Sequence, residues 1–152
     1  MTITNDTEFK AMLGNLSIMN QRKVAVAFVE SVLPLCVEPR IETIAAIVKR
    51  DEVTEQELTA AYQLANTVRI ESFCRCGQEV DWRIQLKHFI AKAALDCAKS
   101  PSDGENLAWS AALDARIART CAGIANGECI ERQETENQYR ILSDFLRQQG
   151  EA

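Results

Sequence analysis

The stretch "AWSAALDARIARTCAGIANG", residues 108–127, decides the fold. Ala108, Ala111, Ala115, Ala118 and Ala122 recur every three or four residues, the spacing that sets side chains along one face of an α-helix. A row of methyl groups lets a second helix lie close against it. A sheet would instead call for alternation at every second position and for β-branched residues. Asn126-Gly127 then supplies the left-handed residue at which a helix stops.

The same period runs outward in both directions. Upstream, Asp81 is suited to cap a helix whose face reads Leu86, Phe89, Ile90, Ala93 and Cys97. Before it, Thr54 and Glu57 form a capping box that opens a helix with Leu58, Ala61, Ala65, Val68 and Ser72 in line and Tyr62 and Leu64 on its flanks. Gly77 is placed to end that helix or the turn after it. Pro39 fits the first turn of a helix carrying Ile41, Ile44, Ala45 and Val48 and ending near Arg50-Asp51, because its missing N–H costs nothing there. Val24, Ala25, Phe28, Val29 and Val32 mark another helix, starting at Ser17 or Asn20 and bent or ended by Pro34. A short helix is expected near residues 7–13. Downstream, Ser100 to Gly104 reads as a loop, with Ser102 and Glu105 repeating the capping-box spacing. The last helix is expected from about Cys129 to Gln149, burying Ile141, Leu142, Phe145 and Leu146. The expected architecture is all-α: one domain over residues 1–152, an antiparallel helical bundle or a small stack of helix pairs, with about six to seven helices.

Composition narrows the function classes. The chain has 152 residues, 47% of them apolar and 26% charged, which suits a globular protein with a real core. A net charge of −5 with interspersed signs lacks the basic stripe of a nucleic-acid binder. No apolar run reaches a membrane span, and the polar start "MTITNDTEFK" has no signal-peptide core, so a cytoplasmic location is expected. In that setting the six cysteines read as small buried hydrophobes, and a Cys121–Cys129 bridge across the Asn126-Gly127 turn is not expected.

"SFCRCGQEVDWRIQLKHF", residues 72–89, is the most chemistry-like stretch, holding Cys74, Cys76 and the single histidine, His88. Two residues apart on a helix, the cysteines point in different directions. His88 lies roughly 10 Å along the next helix at its rise of about 1.5 Å per residue. An antiparallel neighbour sets it beside the middle of the preceding helix, away from both thiols. A metal site on Cys74, Cys76 and His88, or a redox pair, is therefore the alternative and not the first expectation, since zinc needs convergent ligands. A di-iron bundle fails for want of Glu-x-x-His on two helices. No phosphate loop, nucleophile elbow or zinc-protease motif is present. No catalytic residues and no cofactor are assigned.

Polar residues inside the alanine-rich helices are the remaining candidates: Asn66, Arg69, Asp114, Arg116 and Arg119, with Trp109 beside them. They form either a solvated face with inter-helix ion pairs, to Asp96 or Glu71 for example, or a polar groove that accepts a partner. Glu128, Glu131, Glu134 and Glu136 form an acidic cluster suited to a basic partner, as do the residues from Asp51 to Glu57. The helix macrodipole explains acidic residues at helix starts equally well.

The segment "RKVAVAFVESVLPLCVEPRIETIAAIVKRDEVTEQELTAAYQLANTVRIESF" resembles the front half of the Imm5-like family of bacterial immunity proteins, with its Leu33-Pro34 turn and its helix beginning at Pro39-Arg40. The closing "ERQETENQYRILSDFLRQQ" is similar to the family's Glu-rich final helix. The chain departs from the family in carrying Asn66 where a histidine is expected. The resemblance implies a small cytoplasmic helical protein that neutralises a toxin domain by binding it, with no catalytic machinery. A helical adaptor or self-associating scaffold using the alanine-rich faces is a further alternative.

Overall fold

The computed structural model describes residues 2–75, 81–100, 105–127 and 133–150. Seven α-helices occur in them: α1 (Asp6–Gly14), α2 (Ile18–Val32), α3 (Pro39–Val48), α4 (Glu55–Arg75), α5 (Trp82–Ala98), α6 (Leu107–Asn126) and α7 (Gln133–Gly150). No strand is found among the described residues. The chain is an all-α bundle.

Local chemistry sets most of the boundaries. Ser17 caps α2 by accepting from the Asn20 amide, which settles its start. After Val32 a 3₁₀ turn at Leu33–Leu35 carries Pro34, and the chain restarts as α3 with Pro39 in its first turn. Thr54 and Glu57 exchange the two bonds of a capping box at 3.1 Å each. Asp81 caps α5 through the amides of Arg83 and Ile84. Gly127 closes α6 at φ 71°, the one left-handed residue among those described.

One expectation changes. Helix α6 opens at Leu107 with Asn106 as its cap, its side chain accepting from the Trp109 amide. Glu105, expected to serve a capping box with Ser102, pairs with Lys99 at 2.5 Å. Ser102 lies outside the described residues, as do Gly77 and residues 128–132, where the last helix was expected to begin; its described part starts at Gln133.

Helix α5 occupies the centre, packing most extensively on α6 and α4 and also touching α2 and α3. His88 in the first half of α5 meets Arg69 late in α4, and α7 runs back along α6, Glu134 meeting Arg119 and Gln138 meeting the earlier Ala112, so both of these helix pairs are antiparallel. The alanine rows are spent at these contacts. Ala61, Ala65, Ala93, Ala94, Ala111, Ala115 and Ala118 are all buried inside the bundle. One continuous core joins them to Phe9, Leu13, Phe28, Ile41, Ile44, Ile90 and Leu142. Ile141, Phe145 and Leu146 of α7 pack against its edge.

Helix α2 ties the joint between α5 and α6. Gln21 Oε1 accepts from the Leu107 amide at 3.1 Å, satisfying the first orphan donor of α6. Arg22 Nη1 donates to the carbonyls of Cys97 (2.7 Å) and Lys99 (3.0 Å) at the end of α5. Two adjacent side chains thus cap two helix ends. No helix among the described residues is long and apolar enough to cross a membrane.

Candidate functional site

The polar residues of the alanine-rich helices do not share one groove. They separate into three places, and the ion pairs are not those expected from sequence.

Arg116 and Trp109 turn toward α1 and α7. Arg116 forks onto Asp6, donates through Nε to Gln138 Oε1 at 2.9 Å, and lies 5.5 Å from the ring centres of both Phe9 and Trp109. Tyr139 donates to Asp6 at 2.6 Å. The Arg116 bond holds the Asp6 carboxyl below its ordinary range, with Tyr139 assisting. Burial and the Asp6 carboxylate push the Tyr139 phenol up to about 12. Trp109 is half-buried against the core.

Arg119 turns toward α7 and α2. Its Nε donates to Glu134 Oε2 at 3.1 Å and its Nη2 to the Ser31 carbonyl at 3.2 Å. Ser31 Oγ donates to Glu134 Oε1 at 2.8 Å and accepts from Asn137 at 2.5 Å. Glu134 is only 1% exposed. Its carboxylate joins α7 to α6 and α2 and is not presented to a partner. Glu136 is exposed and borders an open polar depression of about 480 Å³ with Arg119, Gln133 and Arg140. Glu128 and Glu131 lie outside the described residues. In the other acidic stretch, Asp51 pairs with Lys23 and Glu57 with Arg50.

Asn66, Arg69 and Asp114 gather over α5. Arg69 binds Asn66 Oδ1 through Nε (3.0 Å) and Nη2 (2.8 Å), while Glu71 pairs with Arg40. His88 Nδ1 lies 3.1 Å from the Arg69 carbonyl, and since a carbonyl only accepts, Nδ1 carries the proton. Burial holds the His88 imidazole below its ordinary value; the Arg69 carbonyl opposes this, and the charges of Arg69 and Lys92 add to it. Lys92, one turn beyond His88, reaches Asp114 of α6 at 3.7 Å. A second turn on, Asp96 meets Asp114 directly, so the sequence-expected pairing of Asp96 with an arginine is replaced by a carboxyl–carboxyl contact.

Sequence reasoning missed a fourth feature. Leu113, Ile117 and Ile124 are 39%, 41% and 46% exposed, although α6 is the most buried-alanine-rich helix of the bundle. At about 100° per residue the three fall within roughly 40° of one another, opposite the alanine row. They span about 16 Å of helix at 1.5 Å per residue. Their spacing was visible, but an apolar residue in a helix is first counted toward the core.

The metal alternative finds its histidine occupied at Arg69, with the nearby charges coming from Lys92 and Asp114. The side chains of Cys74 and Cys76 lie outside the described residues. Among the described residues no group of three or more His, Cys, Asp or Glu converges to hold a metal. Cys97 is buried, donates to the Ala93 carbonyl at 3.3 Å, and has its thiol pushed up by burial. Cys36 is half-buried with its thiol also raised, so neither behaves as a reactive thiolate.

The fold and these sites define a helical bundle with an exposed aliphatic row and internal polar joints. No known family, curated protein or solved structure matches the chain.

Proposed function

We propose that the chain is a non-enzymatic protein-binding module, an immunity protein that neutralises a bacterial toxin domain by direct contact in the cytoplasm. The exposed row Leu113–Ile117–Ile124 on α6 carries the reading. Three large aliphatic side chains in register on one helix leave apolar area in water, and such patches mark interaction surfaces more often than chance. Their rigidity helps. The row stands on a helix fixed by α5, α2 and α7, so binding it costs little ordering entropy.

Polar groups frame the row. Asp114 lies on the side of α6 that faces α5, and Arg116 on the side that faces α1 and α7, both already engaged. The chain's net charge of −5 favours association with a basic partner and speeds encounter. The resemblance to immunity proteins supplies the toxin as the partner's class. The experiment is capture from native cells by the tagged wild-type chain and by Ile117→Glu. A stoichiometric partner retained by the first and lost by the second supports the proposal. Equal recovery by both removes α6 as the docking face.

A further inference from the structure

Asp96 and Asp114 meet across the α5–α6 contact at 8% and 6% exposure. Two carboxylates at hydrogen-bonding range inside a protein cannot both stay charged without a large penalty. Oδ2 of Asp96 is also buried with no hydrogen-bond partner. An ionised carboxylate oxygen can only accept, and nothing donates to this one. A proton on Asp96 removes both difficulties. It cancels one of the two charges and turns Asp96 from an acceptor into a donor toward Asp114.

We infer that Asp96 and Asp114 share a single proton at neutral pH, and that this proton clasps α5 to α6. The surroundings keep the second charge on Asp114. Lys92 Nζ stands 3.7 Å from Asp114 Oδ1, from the exposed side of the same face. Lys92 on α5 and Lys99 just past its end are the cations whose fields reach Asp96. Helix α2 brings Arg22 to the Cys97 carbonyl, α4 brings Tyr62 near Lys99, and α3 meets α5 at its other end through Glu38 and Lys87. Lys99 is engaged by Glu105, and Arg22 by main-chain carbonyls. None of these groups bonds the Asp96 carboxyl. Burial, followed by the Asp114 carboxylate, pushes the Asp96 acid up to about 9.

The folded chain therefore holds a proton that the unfolded chain releases near the ordinary aspartate value of 3.8. A folded value raised above the unfolded one gives stability that is complete below the unfolded value and is lost as pH climbs through the folded one. Between those limits each pH unit raises the unfolding constant by up to about tenfold. His88 and the thiols of Cys36 and Cys97 also differ between folded and unfolded chains, so the contribution of the pair is read over about pH 7 to 8 as the difference in slope between wild type and Asp96→Asn.

Urea unfolding of wild type, Asp96→Asn and Asp114→Asn across that window tests the clasp. Wild type should lose stability by up to about tenfold in the unfolding constant per unit, and Asp96→Asn, which keeps a donor without a proton to release, should lose this slope. Carboxyl ¹³C resonances of the folded wild type, read over about pH 4 to 9, decide the matter even if a variant fails to fold. The Asp96 carboxyl should stay at its protonated position through pH 7, and in Asp114→Asn should titrate lower. An Asp96 resonance that titrates in the ordinary aspartate range, or an unchanged slope in Asp96→Asn, overturns the inference.

Discussion

Arg116 of α6 forks onto the carboxylate of Asp6 in α1, each terminal nitrogen standing 2.9 Å from one oxygen. The pair spans 110 positions of sequence and fixes the first helix to the sixth. Lysine cannot reproduce the fork or the Nε bond to Gln138. Arg116→Lys is expected to cost about 1–2 kcal/mol, since Asp6 is partly open to solvent and the charge term is screened. Tyr139→Phe, which loses one bond to Asp6, should cost about 0.5–1.5 kcal/mol. Denaturant midpoints of both variants check the order.

Glu134 is the buried counterpart. Removing its carboxylate leaves Arg119 and Ser31 without the group they converge on. Glu134→Ala should destabilise by about 2–4 kcal/mol, less than a wholly enclosed pair because Arg119 retains some solvent. Glu136→Ala, on the exposed side of the same helix, should stay within about 0.5 kcal/mol of wild type. Equal effects at the two positions would show that α7 is not anchored through Glu134.

Acid should unfold the chain partly through Glu38. Arg40 donates to it at 2.6 Å and Lys87 lies at 3.1 Å, and these bonds draw its carboxyl down to about 2 from 4.5. A depressed folded value means stability that is present above 4.5 and lost as pH falls toward 2. Glu38→Gln should lower the urea midpoint at neutral pH and flatten the decline below about pH 4.5. An unaltered acid limb would mean that Arg40 and Lys87 do not hold the carboxylate in solution.

Gly127 tests backbone conformation alone. A methyl group at its Cβ position meets no atom within 4 Å, yet its φ is +71°. Gly127→Ala should therefore cost about 1 kcal/mol from the left-handed conformation, and Gly127→Asn less. Thermal melts of the two variants separate strain from packing.

The fold was legible because its rules are local. Thr54 with Glu57, Asp81, and Asn126 before Gly127 announce helix ends within a few residues, and the alanine rows announce the buried faces. Asn106 was hidden by a competing motif, since the capping-box spacing of Ser102 and Glu105 drew attention one turn earlier than the cap that opens α6. Long-range pairs were illegible for a different reason. Nothing near Arg116 points to Asp6, and Glu134 and Gln138 look like solvated surface until α7 is folded against α6. Asp96 looked like a partner for arginine because opposite charges are the default, whereas packing sets it against Asp114. The row Leu113, Ile117, Ile124 needed exposure, which periodicity alone does not supply.

The docking face on α6 is the central claim, and paired capture tests it most directly. Tagged wild-type chain and Ile117→Glu, matched for thermal stability, are used to recover partners from native cells. A single stoichiometric partner bound by wild type and lost with Ile117→Glu is the expected result. The same partner at the same yield with both chains, or no stoichiometric partner with either, would contradict the account.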